Sequence, residues 1–322
     1  MALRTFERWE AGPTGDLRPR GGNPTPHNAL TPEERAVVAE LVAAPELAAL
    51  APRELSFHAL EDRGLYVSHV AFWQYMQELG IYDADAGPKR RRRARCTEPP
   101  ETAFATRPNE LWAWDISHLL TYTPGQFFYL YALLDWVSRK VVAWHLSESL
   151  ASSEVPKLWD KAIEAEGLLE LPRCLWPASL SDRGTQMRSR FTRRYFALLD
   201  IEQLFGRPRT PNDNARMEAI FAGVKTHPFY PVRFGSFEDA LAWCRQYFDW
   251  YNHRHHHRAL GYVTPAQRHS GDHVRVLEER RRLKEECLER RRRYNVEREG
   301  VPEVLPEAFG DLSAPTQAAA GT

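Results

Sequence analysis

Apolar segments between residues 108 and 210 predict a sheet. Leu111–Leu120, Phe127–Leu134 and Val137–Leu146 are typical of strands, and Pro124-Gly125 supplies a turn between the first two. After them, helical patterns alternate with short apolar segments. This order favours an α/β fold, with a mixed five-stranded sheet and flanking helices.

Helices are predicted on both sides of the strands. Thr31-Pro32-Glu33-Glu34 combines a capping hydroxyl, proline at the first helical position and a glutamate that can reach back to the cap. Further helices at Arg53–Asp62 and after Ser68 complete a small all-α domain, which is a helix-turn-helix candidate. Later helices are expected at Asn214–Lys225 and Ser236–Asn252.

Polar composition divides the chain into regions. Val274–Arg298 is mostly Glu and Arg with a sparse apolar stripe, so we expect a long exposed helix that could contact a partner. The expected regions are a flexible arm at 1–30, the helical domain at 31–82, a basic linker at 83–107, the sheet domain at 108–270, the charged helix at 271–299 and a disordered tail at 300–322.

Composition leaves several functional classes open. The chain has 322 residues, with 43 basic and 43 acidic side chains, so its net charge neither requires nor excludes a nucleic-acid partner. Its 4 cysteines form no C-x-x-C pair, which argues against a zinc knuckle or a disulfide framework. No apolar run is long enough for a membrane span. We therefore expect a cytoplasmic protein.

Three acidic residues fall at positions that suit chemistry. Strand alternation places Asp115 on the same face as the small residues Ala113 and Ser117, which leaves room for a hydrated metal and a phosphate. Asp182 follows a short apolar strand, where sites in α/β folds commonly lie. Glu218 lies one turn into a helix. Singly, each has a plainer interpretation as a strand, turn or surface acid.

Together the three carboxylates suit magnesium. Mg²⁺ prefers oxygen ligands and keeps several waters, so a site for two ions needs a few carboxylates from separate elements together with substrate phosphates. Asp115, Asp182 and Glu218 supply that donor set. Lys225, two helical turns after Glu218 on the same face, could contact a DNA phosphate.

Other basic and polar residues are candidates for DNA contact. In a helix-turn-helix the second helix enters the major groove, which would present Ser68, His69 and Gln74 to base edges, although packing of a small bundle explains the pattern equally well. A cationic run can bind DNA by releasing counterions, or can be a solvated linker. Its members are Lys89, Arg90, Arg91, Arg92, Arg93 and Arg95.

The acidic spacing resembles a known signature. With 35 residues between Asp182 and Glu218, the trio resembles the D,D-35-E signature of the retroviral-integrase superfamily. The motifs around these residues resemble those of the insertion sequence three family of transposases, in its catalytic B frame, over roughly Thr31 to His269. These motifs are Trp114-Asp115-Ile116, Leu134-Asp135-x-x-Ser138-Arg139, Ser181-Asp182-x-Gly184, Asn212-Asp213-Asn214-x-x-x-Glu218, Tyr251-Asn252 and Gly261-x-x-Thr264-Pro265.

The resemblance implies an RNase H-like catalytic domain and a DNA transposase that cleaves mobile-element ends and transfers strands. Asp115, Asp182 and Glu218 would be both the catalytic residues and the ligands of two Mg²⁺ ions, with Mn²⁺ as a substitute. The implied partners are double-stranded DNA at element ends and target, further copies of the chain, and a helix-turn-helix protein from an upstream frame. The implied location is the bacterial nucleoid.

Two departures and one cluster keep alternatives open. Leu180 stands where the family usually has histidine, and the segment from Asp115 to Asp182 is slightly long, so a decayed DNA-binding copy or a nuclease of the same fold remain alternatives. The histidines at 253, 255, 256 and 257 could suggest a transition-metal site. Because they are mixed with arginines, we instead expect DNA contact or surface exposure.

Overall fold

The computed structural model describes residues 26–47, 50–81, 105–206 and 215–297. The cationic run Lys89 to Arg95, the predicted tail and residues 1–25 of the predicted arm lie outside these residues. The described residues fall into two compact units, a smaller one of 26–37 and 285–297 and a larger one between 38 and 284. The domain boundaries given above stay predictions.

The larger unit contains a mixed sheet in the order β3-β2-β1-β4-β5. The first three strands form an antiparallel meander, whereas β4 pairs with β1 and β5 with β4 in parallel. This confirms the predicted RNase H-like sheet. The strands are β1 (Leu111–Leu120), β2 (Phe127–Asp135), β3 (Val141–Ser147), β4 (Ala178–Ser181) and β5 (Gln203–Phe205).

Helices precede and surround the sheet, in agreement with the sequence. Capping explains several of their starts, since Ser68 and Ser236 each accept a hydrogen bond from a backbone N–H of the first turn. The helices are α1 (Pro32–Ala43), α2 (Pro52–Arg63), α3 (His69–Glu78), α4 (Glu154–Ala165), α5 (Arg190–Leu199), α6 (Ala215–Thr226), α7 (Phe237–His253), α8 (Pro265–Ser270) and α9 (His273–Glu297).

Both faces of the sheet are covered. Trp112 and Trp114, each with no exposed surface, pack on one face in a core that includes Trp159 of α4 and Phe196 of α5. Ala113, between them, belongs to a second core on the other face, to which α6 and α7 contribute. The central strand is therefore fixed from both sides.

Two predictions about elements are wrong in detail. The third strand begins at Val141 rather than Val137, because a turn held by Asp135 and Ser138 occupies the preceding residues. Helix α9 is not exposed on all sides, since Arg280 is buried and pairs with Glu61. No helix among the residues described here is long and apolar enough to cross a membrane.

Candidate active site

β1 and β4 are parallel neighbours close to two of the three carboxylates. Ala113 of β1 pairs with Leu180 of β4. Asp115 comes two residues later within β1, and Asp182 directly follows Ser181, the last residue of β4, so both acids come after the paired residues in the same direction. Strand alternation directs the Asp115 side chain to the face that carries Ala113, and the side chain is half-buried.

The Asp182 carboxylate is fixed by the turn that follows β4. Its Oδ1 accepts a hydrogen bond of 2.8 Å from the backbone N–H of Gly184. A Cβ on Gly184 would lie 2.9 Å from that same oxygen and 3.0 Å from the sulfur of Met187. The glycine in the Ser181-Asp182-x-Gly184 motif is therefore needed for the close approach of this carboxylate to the backbone.

Glu218 comes from the helix that packs over this face. Met217, Ile220 and Phe221 of α6 are buried in the same core as Ala113 and Leu180, and α6 contacts β1. Glu218 itself is exposed, as is Lys225 two turns later. The predicted Glu218 and Lys225 face is thus solvent-accessible.

Within the described residues, these three acids do not form a preformed metal-binding site. No group of three His, Cys, Asp or Glu side chains within the described ranges lies close enough to hold a metal ion. The donor set still fits a hard divalent cation in its chemistry, since it consists of carboxylate oxygens from half-buried Asp115 within β1, exposed Asp182 after β4 and exposed Glu218 on α6. Such a site could take its remaining ligands from water and substrate.

Replacing Gly184 by alanine should weaken any reaction that uses Asp182. The new methyl group would force the carboxylate away from its position, and misplacement of a reacting group by about 1 Å can cost on the order of 100-fold in rate. We expect a loss of activity of about 10- to 100-fold, with little change in melting temperature. Gly235→Ala is the matched control, because its Cβ would meet only an exposed Asp239 oxygen at 3.3 Å. Equal activity of Gly184→Ala and wild type would contradict the assignment.

The predicted DNA-contact residues are spread over the molecule. Ser68 caps α3 by accepting from the Ala71 N–H, so its hydroxyl already has a structural role. His69 and Gln74 are exposed, and His69 Nε2 lies 3.1 Å from an Arg53 nitrogen. Contact of DNA by Ser68, His69 and Gln74 therefore remains a prediction.

Leu180 does not face the solvent. Its side chain is 3% exposed and belongs to the core beneath α6. The Leu180 side chain therefore acts mainly through packing. It could affect substrate binding only by changing the position of Asp182.

The structure reveals a buried polar network that the sequence did not predict. Asp135, with no exposed surface, accepts hydrogen bonds of 2.6 Å from both the N–H and the hydroxyl of Ser138. The Ser138 hydroxyl lies 2.9 Å from His269 Nδ1, and His269 Nε2 lies 2.6 Å from Glu166. Although burial opposes it, hydrogen bonding to Asp135 and Glu166 raises the pKa of His269.

This network has a structural role. It ties the turn after β2 to the end of α4 and to α8, and Lys140 completes it by pairing with Glu166 at 2.6 Å. The Ser138 side chain has no exposed surface, so the serine and histidine cannot meet a substrate there. The motif Leu134-Asp135-x-x-Ser138-Arg139 was the only sign of this network in the sequence. Its spacing did not indicate that His269 or Glu166 would be partners.

The expectation of exposure for the histidine cluster is wrong for most of it. His256 is 5% exposed and its Nε2 lies 2.7 Å from Glu61, while His255 and His257 are half-buried. Burial above all lowers the pKa of both His255 and His257 to about 4. His253 alone is exposed.

The half-buried His255 and His257 predict that the fold loses stability in acid. Between pH 6.5 and 4 the unfolded chain takes up protons at these positions while the folded protein does not, so the free energy of unfolding falls as pH drops through this window. The loss is on the order of 3 kcal/mol for each histidine, as an upper bound. Replacing His255 by phenylalanine keeps a ring stacked on Tyr251. The variant should lack the part of the acid-induced loss of stability that comes from His255.

Urea unfolding at pH 7 and pH 4.5 measures this effect. The stability difference between wild type and His255→Phe should shift in favour of the variant at the lower pH. His253→Phe, at the exposed position, is the control and should show no such shift. A pH-independent difference for His255→Phe would contradict the prediction.

One cavity, of about 890 Å³, is lined by aromatic side chains of α7, including Trp243, Tyr247 and Trp250, together with residues of α2. None of the three carboxylates lines it.

Two family models match the chain. Both are described as integrase core domains, and they cover residues 105–211 and 199–265. These ranges contain the whole sheet, α6 and α7, and all three carboxylates.

The chain is also similar to known transposases. A putative transposase for insertion sequence element IS986/IS6110 from Mycobacterium tuberculosis is 28% identical over 220 residues, which cover 65% of this chain and 77% of the relative. The putative transposase InsK for insertion sequence element IS150 of Escherichia coli is 28% identical over 163 residues, covering 51% and 55%. A solved HTLV-2 integrase catalytic core domain in complex with magnesium gives a TM-score of 0.36 at 16% identity, covering 51% of this chain and 97% of that one. The chain therefore carries an integrase core domain, and its homologues are transposases of the insertion sequence three family.

Proposed function

We propose that this chain is a DNA transposase that cleaves a phosphodiester at the ends of a mobile element and joins the freed 3′ hydroxyl to another strand. The pairing of β1 with β4 supports the proposal, because Asp115 and Asp182 come two residues after the paired Ala113 and Leu180, and the helix that bears Glu218 contacts β1. Three carboxylates from separate elements are what metal-assisted phosphoryl transfer requires of a protein.

In this proposal Asp115, Asp182 and Glu218 are the ligands of two Mg²⁺ ions, with Mn²⁺ as a substitute. When bound, these ions would activate the attacking oxygen and stabilise the leaving oxygen. The protein's own contribution is to hold the carboxylates in position: β1 is packed on both faces, and Gly184 fixes Asp182. Exposed Lys225, on the Glu218 face, would contact a backbone phosphate.

The substrate is double-stranded DNA. Joining requires that two element ends meet, so the proposal includes a homo-multimer. A helix-turn-helix protein from an upstream frame is a further proposed partner. The proposed contacts to the element ends are Ser68, His69 and Gln74, together with the cationic run Lys89 to Arg95.

The test uses the full chain with labelled DNA that carries the terminal repeats flanking its gene, in Mg²⁺ and in EDTA, with and without the upstream-frame protein. Joined products that need Mg²⁺ and disappear with scrambled repeats are expected. Cleavage without joining would replace the proposal by a nuclease of the same fold. Binding without cleavage, in the presence of the upstream-frame protein, would replace it by a DNA-binding relic.

A further inference from the structure

Two arginines meet at the turn after β2. The guanidinium carbon of Arg216 lies 3.5 Å from the centroid of the Trp136 ring, and that of Arg139 lies 5.9 Å from the same centroid. Arg216 also donates a hydrogen bond to the Trp136 carbonyl. Two cations thus share one indole, at the start of the helix that carries Glu218.

Their positive charge is poorly compensated. Asp135 is the neighbouring acid, but its carboxylate is fully buried and already accepts from Asn109 and twice from Ser138. In the part of the chain that the structure describes, neither arginine forms an ion pair, and the buried Nε of Arg139 has no hydrogen-bond partner. Half-buried guanidiniums side by side repel each other unless an anion joins them.

The backbone at Arg139 gives a second, independent observation. Its φ is +64°, in the left-handed region that glycine adopts readily and a long side chain rarely does. Strain of this kind persists where the side chain has a function. Arg139 therefore costs folding free energy in two ways, through its backbone conformation and through repulsion from Arg216.

We propose that Arg139 and Arg216 form a phosphate subsite that holds the DNA backbone near the reacting phosphate. The identity of the phosphate as part of DNA rests on the proposed function. The backbone N–H of Trp136 donates to the carbonyl of Leu111, four residues before Asp115, so the turn that bears the subsite is about 13 Å along β1 from Asp115. One DNA strand covers this distance in about four nucleotides, at roughly 3.4 Å each along the axis.

Planar guanidiniums suit this ligand. Each can offer two parallel N–H groups to a phosphate, and contact with the Trp136 ring helps to hold the Arg216 guanidinium in place. The subsite would therefore fix the path of the backbone without reading sequence.

Arg139→Gly is the decisive variant, because it relieves the backbone and the charge repulsion while removing the guanidinium. We expect a higher melting temperature, about tenfold weaker DNA binding near 0.1 M salt, and a salt-dependence slope smaller by about one. Arg216→Lys should keep the slope, since it keeps the charge. Arg245→Gln, at an exposed position of α7, is the control and should leave binding nearly unchanged.

A second arm uses inorganic phosphate against chloride at equal ionic strength. Phosphate should raise the melting temperature of wild type and not that of Arg139→Gly. If Arg139→Gly keeps the DNA affinity, the slope and the phosphate shift, the subsite is refuted. If only the phosphate shift is lost, the site takes free phosphate and the DNA assignment is overturned. If the wild-type chain binds phosphate but does not cleave element ends, the proposed transposase is refuted and the phosphate subsite is not.

Discussion

Replacing Asp115 by asparagine should lower metal-dependent cleavage by about a thousandfold or more while DNA binding is kept. The amide has the same shape but loses the negative charge that a divalent ion needs, and each tenfold in rate corresponds to about 1.4 kcal/mol of barrier. The fold should tolerate the change. The Asp115 side chain is half-buried, and its Oδ1 accepts a 2.8 Å bond from the N–H of the next residue, Ile116.

Single-turnover cleavage of labelled element ends, with binding measured on the same DNA, checks this result. Asp182→Asn and Glu218→Gln should show losses of the same order, and the triple variant should be little worse, because residues that act as a unit are not additive. Asp249→Asn is the control, as an exposed acid of α7. If Asp115→Asn stays within tenfold of wild type, this acid is not a metal ligand.

The strands could be predicted because their apolar patterns are strong. β1 has the predicted bounds, and Trp112 and Trp114 lie in the core as expected. β3 was misjudged at its start because Val137 looks like a strand residue. The backbone there instead follows the Asp135 and Ser138 turn, whose hydrogen bonds outweigh strand propensity.

The site could be predicted in composition but not in geometry. Spacing along the chain singled out Asp115, Asp182 and Glu218. The proposed site depends on the parallel pairing of β1 with β4, which joins residues 67 positions apart and has no local signal. The ligand types could therefore be predicted from the sequence, whereas the strand pairing on which the proposed site depends could not.

Buried polar groups were the least predictable feature. His269 lies 131 residues from Ser138 in sequence, and His256 lies 195 residues from Glu61. Histidines mixed with arginines suggest an exposed surface when only neighbours in sequence are considered. Partners from remote helices make burial of the same residues possible.

Replacing Asp135 by alanine should destabilise the fold by about 3–5 kcal/mol, the range typical for breaking a buried charged network. The carboxylate accepts from the Asn109 N–H at 2.7 Å and from the N–H and hydroxyl of Ser138. Alanine would leave these donors without an acceptor in a site that water does not reach. His269, 3.8 Å from Asp135, would lose one of the two acids that raise its pKa.

Urea unfolding at pH 7 measures the loss. Asp135→Asn should be intermediate, because its amide oxygen can still accept while its NH₂ group faces donors. Asp249→Ala, which removes an exposed acid, should change the free energy of unfolding by less than about 0.5 kcal/mol. A loss below about 1 kcal/mol for Asp135→Ala would mean that water or a shifted side chain replaces the carboxylate. The turn would then not depend on Asp135, and the late start of β3 would need another cause.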